Sequence, residues 1–338
     1  MTAPTDPFLV FAGQLRRQYL LPPEGRPLLD APGGNLLYAA CGARLWTEGV
    51  ALLARVGEDY PHEWLHQFEQ KDIDPQGIKI LPGPMDLRSF MVYTDANTFQ
   101  RSNPVSHFAR LGMPFPKGLL GYQPPSSDAD SRVHSRPDSP KLTDIPAHYF
   151  NAKAAHLSPL DYLAHAQLAP AFRQGGVNII SIDPGPGYMN GNFLNALRSL
   201  LQGITAFLPS EDEIRTLFWG RTTDLWEMAE TLGGYGVEII LIKRGARGQY
   251  LYEHTSRKKW EIPAYPGHVL DPTASGDVFC GGFLAGLATT SDPLQAALHG
   301  NISASLSIEG SGAFYLLDSM PGLAQARLQS LADIVRVV

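Results

Sequence analysis

The chain has 338 residues, with 27 Lys plus Arg against 33 Asp plus Glu, for a formal charge of −6. That length suits one large α/β domain or two smaller ones. A 44% hydrophobic, 18% charged composition excludes global disorder, and an acidic chain without a long Lys/Arg run is a poor sequence-independent nucleic-acid binder.

Two cysteines, Cys41 and Cys280, exclude a disulfide scaffold and a cysteine-rich zinc module, and both read as buried free thiols. The opening MTAPTDPFLVFAG has no basic region, so no signal peptide is expected. No stretch approaches the ~18 apolar residues of a membrane span. The expectation is a cytoplasmic protein with a small-molecule substrate and neither a nucleic-acid nor a membrane partner.

In chain order, strands are expected at 7–13, 49–57, 88–95, 176–183, 204–210 and 237–245, short runs bounded by Gly or Pro and in part β-branched. Helical patterns fall at about 35–47, 61–71, 190–202, 211–218, 222–235, 275–289 and 293–308. Several strands are apolar on both faces, as strands covered by helices on each side are. The alternation predicts an α/β fold with a mostly parallel sheet between two helical layers. Residues 14–32 and 77–101 read as extended segments off the main sheet, forming a small lid. Residues 103–146 hold eight prolines and the run PPSSDADSRVHSRPDSP. They are expected to build no core and to contain neither helix nor central strand.

The most informative stretch is DPTASGDVFCGGFLAGL, Asp271 to Leu287. Small residues at Thr273–Gly276 lead into an apolar helix. A helix start carries unpaired N–H groups and a partial positive charge, so it can hold an anion. Asp277 in its first turn can accept a proton from an attacking hydroxyl. An ordinary helix entry, with Ser275 or Asp277 as cap and Gly281, Gly282 and Gly286 for packing, fits the same residues.

This segment resembles the signature of the PfkB (ribokinase-like) family of sugar and nucleoside kinases, D-T-x-G-A-G-D-x-F-x-x-G. Six other family motifs occur in the family's order. They are Gly33-Gly34 before YAACGARL, VGEDY (56–60), SIDPGPGY (181–188), LPSEDE (208–213), KRGARG (243–248) and GNISASLSIEGSGA (300–313). The resemblance implies a single ribokinase-like three-layer α/β/α domain over 1–338 with a small β lid. It implies ATP and Mg²⁺ as cofactors, with a monovalent-cation requirement left open, and a homodimer through the lid edges.

By the same resemblance, Asp277 is the general base, and Ala274, Ser275 and Gly276 complete the anion hole. Lys243, Gly245, Gly248, Asn301 and Ser210 lie on the nucleotide side, and Glu213 organises Mg²⁺ through water. Gln18, Gly33, Gly34 and Tyr38 fall at the acceptor side, and the neighbouring Asn35 is a candidate to compensate there for the Asn that Tyr38 replaces.

Four positions depart from the pattern. Ala274 replaces the first Gly of the anion hole, and Ser210 replaces the Asn of P-N-x-x-E. Gln18 and Tyr38 replace an Asp and an Asn that hold sugar hydroxyls. These changes put the acceptor in doubt and support an alternative, a catalytically weakened ligand-binding protein. His62-Glu63-Trp64-Leu65-His66 formally matches a zinc-protease motif, but catalysis would need a third ligand, and the resemblance places the segment on a surface helix after Asp59. Arg16 and Arg17 read as solvated lid residues.

Overall fold

The computed structural model describes residues 6, 8–125, 131–333 and 335–337. The first half runs β1 (Leu9–Ala12), β2 (Arg16–Leu21), β3 (Leu28–Gly33), α1 (Asn35–Arg44), β4 (Val50–Gly57), α2 (His62–Gln70), β5 (Ile73–Leu81), β6 (Arg88–Asp95), β7 (Thr98–Gln100), α3 (Pro104–Arg110), β8 (Ala154–Leu157) and α4 (Tyr162–Gln174). The second half runs β9 (Ile179–Ile182), α5 (Leu194–Leu200), β10 (Ala206–Phe207), α6 (Glu211–Leu217), α7 (Leu225–Gly233), β11 (Ile239–Lys243), β12 (Gln249–Glu253), β13 (Lys258–Ile262), α8 (Ser275–Thr290), α9 (Pro293–Ser307), α10 (Leu323–Ala332) and β14 (Arg336–Val337).

Ten strands form the main sheet in the order β14-β13-β12-β11-β10-β9-β8-β1-β4-β5. The strands from β11 to β5 are all parallel, and β12 to β14 extend the sheet antiparallel. Alternate residues along each strand feed two cores. Leu9, Phe11, Leu52 and Ala54 pack with α1, α2, α8 and α9, whereas Val10, Ala12, Ala51 and Leu53 pack with α4, α5, α6 and α7. This is the expected mostly parallel sheet between helical layers.

A second sheet, β3-β2-β6-β7, stands off the first. Its composition corrects one boundary. Residues 77–81 belong to β5, which pairs with β4 in the main sheet, so of the 77–101 segment only β6 and β7 join the lid. Paired residues of the parallel β2 and β6 share faces. Tyr19, Leu21, Phe90 and Val92 point to the outer face, and Gln18, Leu20, Ser89, Met91 and Tyr93 to the inner one.

The proline-rich stretch also differs from expectation. Pro104 takes the first position of α3, where its missing N–H costs nothing. Phe108, Leu119 and Tyr122 form a third core with the outer face of the lid. Arg88 ties it down by donating to the carbonyls of Gly118 and Leu120 (2.8 and 2.9 Å). Further on, buried Asp161 accepts from Ser135 Oγ, Ser139 Oγ and the Arg136 amide, fixing 135–139 at the start of α4. Residues 126–130 of this stretch lie outside the described residues.

Candidate active site

Parallel strands that end together bring their last residues to one edge. Here the ends of β1, β8, β9 and β11 deliver Gly13, Ser158, Asp183 and Lys243, and Ser210 bridges to Lys243. Helix α8 approaches over this edge. It lies close to α1 because Gly281 faces the Ala39 carbonyl, where a Cβ would sit 1.7 Å from the oxygen. Gly282 and Gly286 likewise abut α9, so these three glycines of α8 serve helix packing.

Nothing caps the start of α8 with a side chain. Ala274 adopts φ 56°, ψ 18°, and the amides of Gly276 and Asp277 have no partner among the described residues. These donors, with the helix dipole behind them, make the turn suited to an anion. Asp277 sits among them, half-buried. Burial and the charge of Asp183 push its carboxyl up to about 7, with Lys243 pulling the other way.

Lys243 Nζ lies 2.6 Å from Asp183 Oδ2 and 3.4 Å from Cys280 Sγ. Cys280 Sγ in turn lies 3.3 Å from Asp183 Oδ2. Burial opposes the Lys243 charge, but Asp183 outweighs it and raises the pKa. A Cβ on Gly276 would stand 3.7 Å from Nζ, so this fixed cation lies directly beside the turn.

Ser210 and Glu213 form a capping box at the start of α6. Ser210 N and Oγ both donate to Glu213 Oε2 (2.8 and 2.7 Å), and Glu213 N donates to Ser210 Oγ (3.3 Å). Ser thus replaces Asn without loss of the cap. Oε1 of Glu213 has no partner among the described residues, which suits a water-mediated contact to a cation. Among those residues no cluster of three or more His, Cys, Asp or Glu forms a metal cage. A Mg²⁺ here fits only as one held largely by phosphates and water. His66 of the zinc-like motif is exposed and pairs with Glu69 (3.2 Å).

The lid closes the other side of the cleft. Thr273 Oγ1 donates to Tyr93 Oη (3.2 Å), and the amides of Glu24 and Gly25 donate to the Leu270 carbonyl (3.3 and 2.8 Å). Gly34 turns β3 into α1 at φ 100°, with no room for a Cβ beside the Gln14 carbonyl. Tyr38 Oη donates to Gln18 Oε1 (2.9 Å), so the two departures from the motif bond to each other.

Residues 132–320, just over half of the chain, match the family described as pfkB family carbohydrate kinase. The chain belongs to the pfkB carbohydrate kinase family. It is accordingly a phosphotransferase with an alcohol group as acceptor. It is 28% identical over 280 residues to the cytidine kinase of Thermococcus kodakarensis, spanning 82% of this chain and 87% of the relative. In fold it is similar to a candidate Ribokinase II of E. coli solved with ATP and Mg²⁺, at TM-score 0.70, 15% identity, and 96% and 99% coverage. It is likewise similar to the nucleoside kinase of Methanocaldococcus jannaschii, at TM-score 0.66, 18% identity, and 97% and 100% coverage.

Within this pfkB family member, the structure gathers Ala274, Ser275, Gly276, Asp277 and Lys243 at one turn. Gln18 and Gly33 of the lid meet Tyr38 of α1 at the lid's inner face, next to the Gly34 turn. Two expected ligand residues are already occupied. Asn35 accepts from the Gln14 amide (2.9 Å) and donates to the Pro159 carbonyl (2.8 Å), so its amide binds the fold. Asn301 accepts from the Tyr265 amide and donates to Gln249 Oε1 and the Pro263 carbonyl, pinning the 263–265 loop. Gly248, at φ 84°, abuts the Ile262 carbonyl, and Gly245, at φ 56°, faces open space. Arg16 and Arg17 are not simply solvated. They pair with Asp138 (2.7 Å) and Asp30 (2.6 Å).

Asp183 was not anticipated as a site residue, although it lies inside the SIDPGPGY motif. Its signal was an acidic residue ending a buried apolar strand, a place where a carboxylate needs a partner.

Proposed function

We propose that the protein transfers the γ-phosphoryl group of ATP to a hydroxyl of a sugar or nucleoside, with Asp277 as general base. The carboxylate takes the proton from the attacking hydroxyl. The new oxygen–phosphorus bond forms as the bond to the β–γ bridging oxygen breaks, and ADP leaves. The amides of the 274–277 turn and the Lys243 ammonium stabilise negative charge on the transferring oxygens. Mg²⁺, when bound, neutralises β/γ-phosphate charge, and Glu213 is the residue suited to hold its water shell. Gly245 and Gly248 belong to the nucleotide side of this reading.

The observation that carries the proposal is the placement of a proton-accepting Asp277 at an uncapped helix start, beside a buried cation and under the lid. A carboxyl titrating near 7 is matched to proton transfer at neutral pH. The test is acceptor-dependent ADP release from MgATP across sugars and nucleosides, run beside Asp277→Ala. Release that vanishes in the variant supports the mechanism, and undiminished release in the variant refutes it.

The reading includes a cytoplasmic enzyme, in keeping with two free buried thiols. It also includes pairing of two copies along the open lid edges β3 or β7. The outer lid face is already covered by residues 104–122, so a dimer would use those edges rather than that face.

A further inference from the structure

The inner face of the lid carries one polar pair whose hydrogen-bond polarity is fixed. Gln18 is 6% exposed and Tyr38 3%. The Tyr38 phenol is buried and has no other hydrogen-bond partner among the described residues, so its O–H is satisfied only by donating to Gln18. It donates to Gln18 Oε1 at 2.9 Å. Gly33 packs on the same end of the amide, where a Cβ would stand 2.5 Å from Oε1. The oxygen is therefore the atom turned into the fold, and the hydrogen-bond network assigns the amide orientation. Nε2 has no partner among the described residues, yet it is absent from the fully buried unpaired atoms. It is the open end of the side chain, on the face shared with Ser89, Met91 and Tyr93. Tyr93 touches Thr273 at the entry to α8. Helix α1, which carries Tyr38, packs directly on the start of α8, where a Cβ on Gly42 would stand 2.1 Å from the Val278 carbonyl.

We propose that Gln18, oriented by Tyr38, is a specificity-determining residue that offers the phosphoryl acceptor a hydrogen-bond donor and no acceptor. A carboxylate at this place rewards substrate hydroxyls that donate. An amide N–H₂ favours a substrate oxygen that only accepts, because it leaves the proton of a hydroxyl without a partner. The substrate class is thus an alcohol that also carries a carbonyl or carboxylate oxygen, placed against Gln18. Sugar acids, keto sugars and carbonyl-bearing nucleosides share that chemistry. The inference rests on the kinase reading and names the selectivity of the same site.

The test uses matched acceptors that differ only in C=O against CH–OH at one carbon. Wild type, Gln18→Glu and Tyr38→Phe are compared by ADP release and, separately, by ligand-induced thermal stabilisation. The wild type should favour the carbonyl member in kcat/KM by about tenfold, the scale of one discriminating hydrogen bond. Gln18→Glu keeps the Tyr38 hydrogen bond and should reverse the preference in kcat/KM. Tyr38→Phe frees the amide to turn over and should level the preference. An unchanged ratio in both variants overturns the proposal. If no acceptor releases ADP but binding shows the preference and its reversal, the selectivity stands and the kinase reading fails.

Discussion

Lys243 Nζ and Asp183 Oδ2 stand 2.6 Å apart with their side chains 13% and 5% exposed, at the ends of two strands separated by β10. Neither charge is tolerable alone at that depth. Together they present a fixed cation to the turn that precedes Asp277. The sheet thus supplies the site with charge, and α8 supplies the donors and the base.

Lys243→Met should leave the Asp183 carboxylate buried beside only the Cys280 thiol. The expected cost is about 3–5 kcal/mol in denaturant-induced unfolding, the range for one orphaned member of a buried pair. The double variant Lys243→Met/Asp183→Leu should be clearly less destabilised than the single one. Equal destabilisation in both would show that the two side chains do not act as a pair.

Asp277→Ala should lower kcat by about 10²–10⁴-fold, the range for a positioned general base, with the far-ultraviolet circular dichroism unchanged. In the wild type, kcat/KM should rise with pH and level off above about 7, as the carboxyl loses its proton. A flat profile from pH 5.5 to 8 would assign proton transfer to another group.

The same titration makes a stability prediction of opposite character. Asp277 binds its proton more tightly in the fold, near 7, than at the ordinary 3.8 of an unfolded chain. Its contribution to stability is full below pH 3.8 and is lost as pH rises through 7. Asp277→Asn has no charge to desolvate. It should therefore melt above the wild type at pH 8, with the gap closing towards pH 4. A variant that melts below the wild type at pH 8 would contradict the desolvation assigned to the half-buried Asp277.

The sequence made the turn at 271–277, most parallel strands and the Gly33-Gly34 turn legible, because each is written in local residue order. What it hid was long-range. Helix α4 keeps Pro170 in its interior, and its Asp161 cap and buried Leu168 and Phe172 hold it together. Phe108, Leu119 and Tyr122 look like parts of a polar, proline-rich loop until the lid face they cover is known. Asn301 matches a binding position and Asn35 stands near one, yet their amides are consumed by backbone partners and a glutamine far away in the chain. Residue type announces what a side chain can bond, whereas only the fold decides what it does bond.

That third core is itself testable. Phe108 is fully buried between the lid and residues 113–122. Phe108→Ala should cost about 3–5 kcal/mol if this unit unfolds with the domain. If the lid opens on its own, the loss should appear instead as faster amide exchange confined to 16–21, 88–95 and 104–122. No change in either measure would mean that the insertion does not support the lid.

Ala274 carries the last prediction, because the family signature places Gly there. At φ 56° an L-residue pays about 1–2 kcal/mol for the left-handed region. Glycine would remove that strain, but costs about 0.5–1 kcal/mol in unfolded-chain entropy and gives up the methyl that packs on the core. Ala274→Gly should thus change stability by less than about 1 kcal/mol, with kcat no lower than wild type, since the amide donors keep their direction. Ala274→Val adds a branched Cβ to the same φ and should destabilise by at least about 1–2 kcal/mol. Denaturant titration of the two variants separates a strained turn from a merely substituted one. If valine is as well tolerated as glycine, Ala274 is not held in the left-handed region, and the donor geometry of the anion hole fails with it.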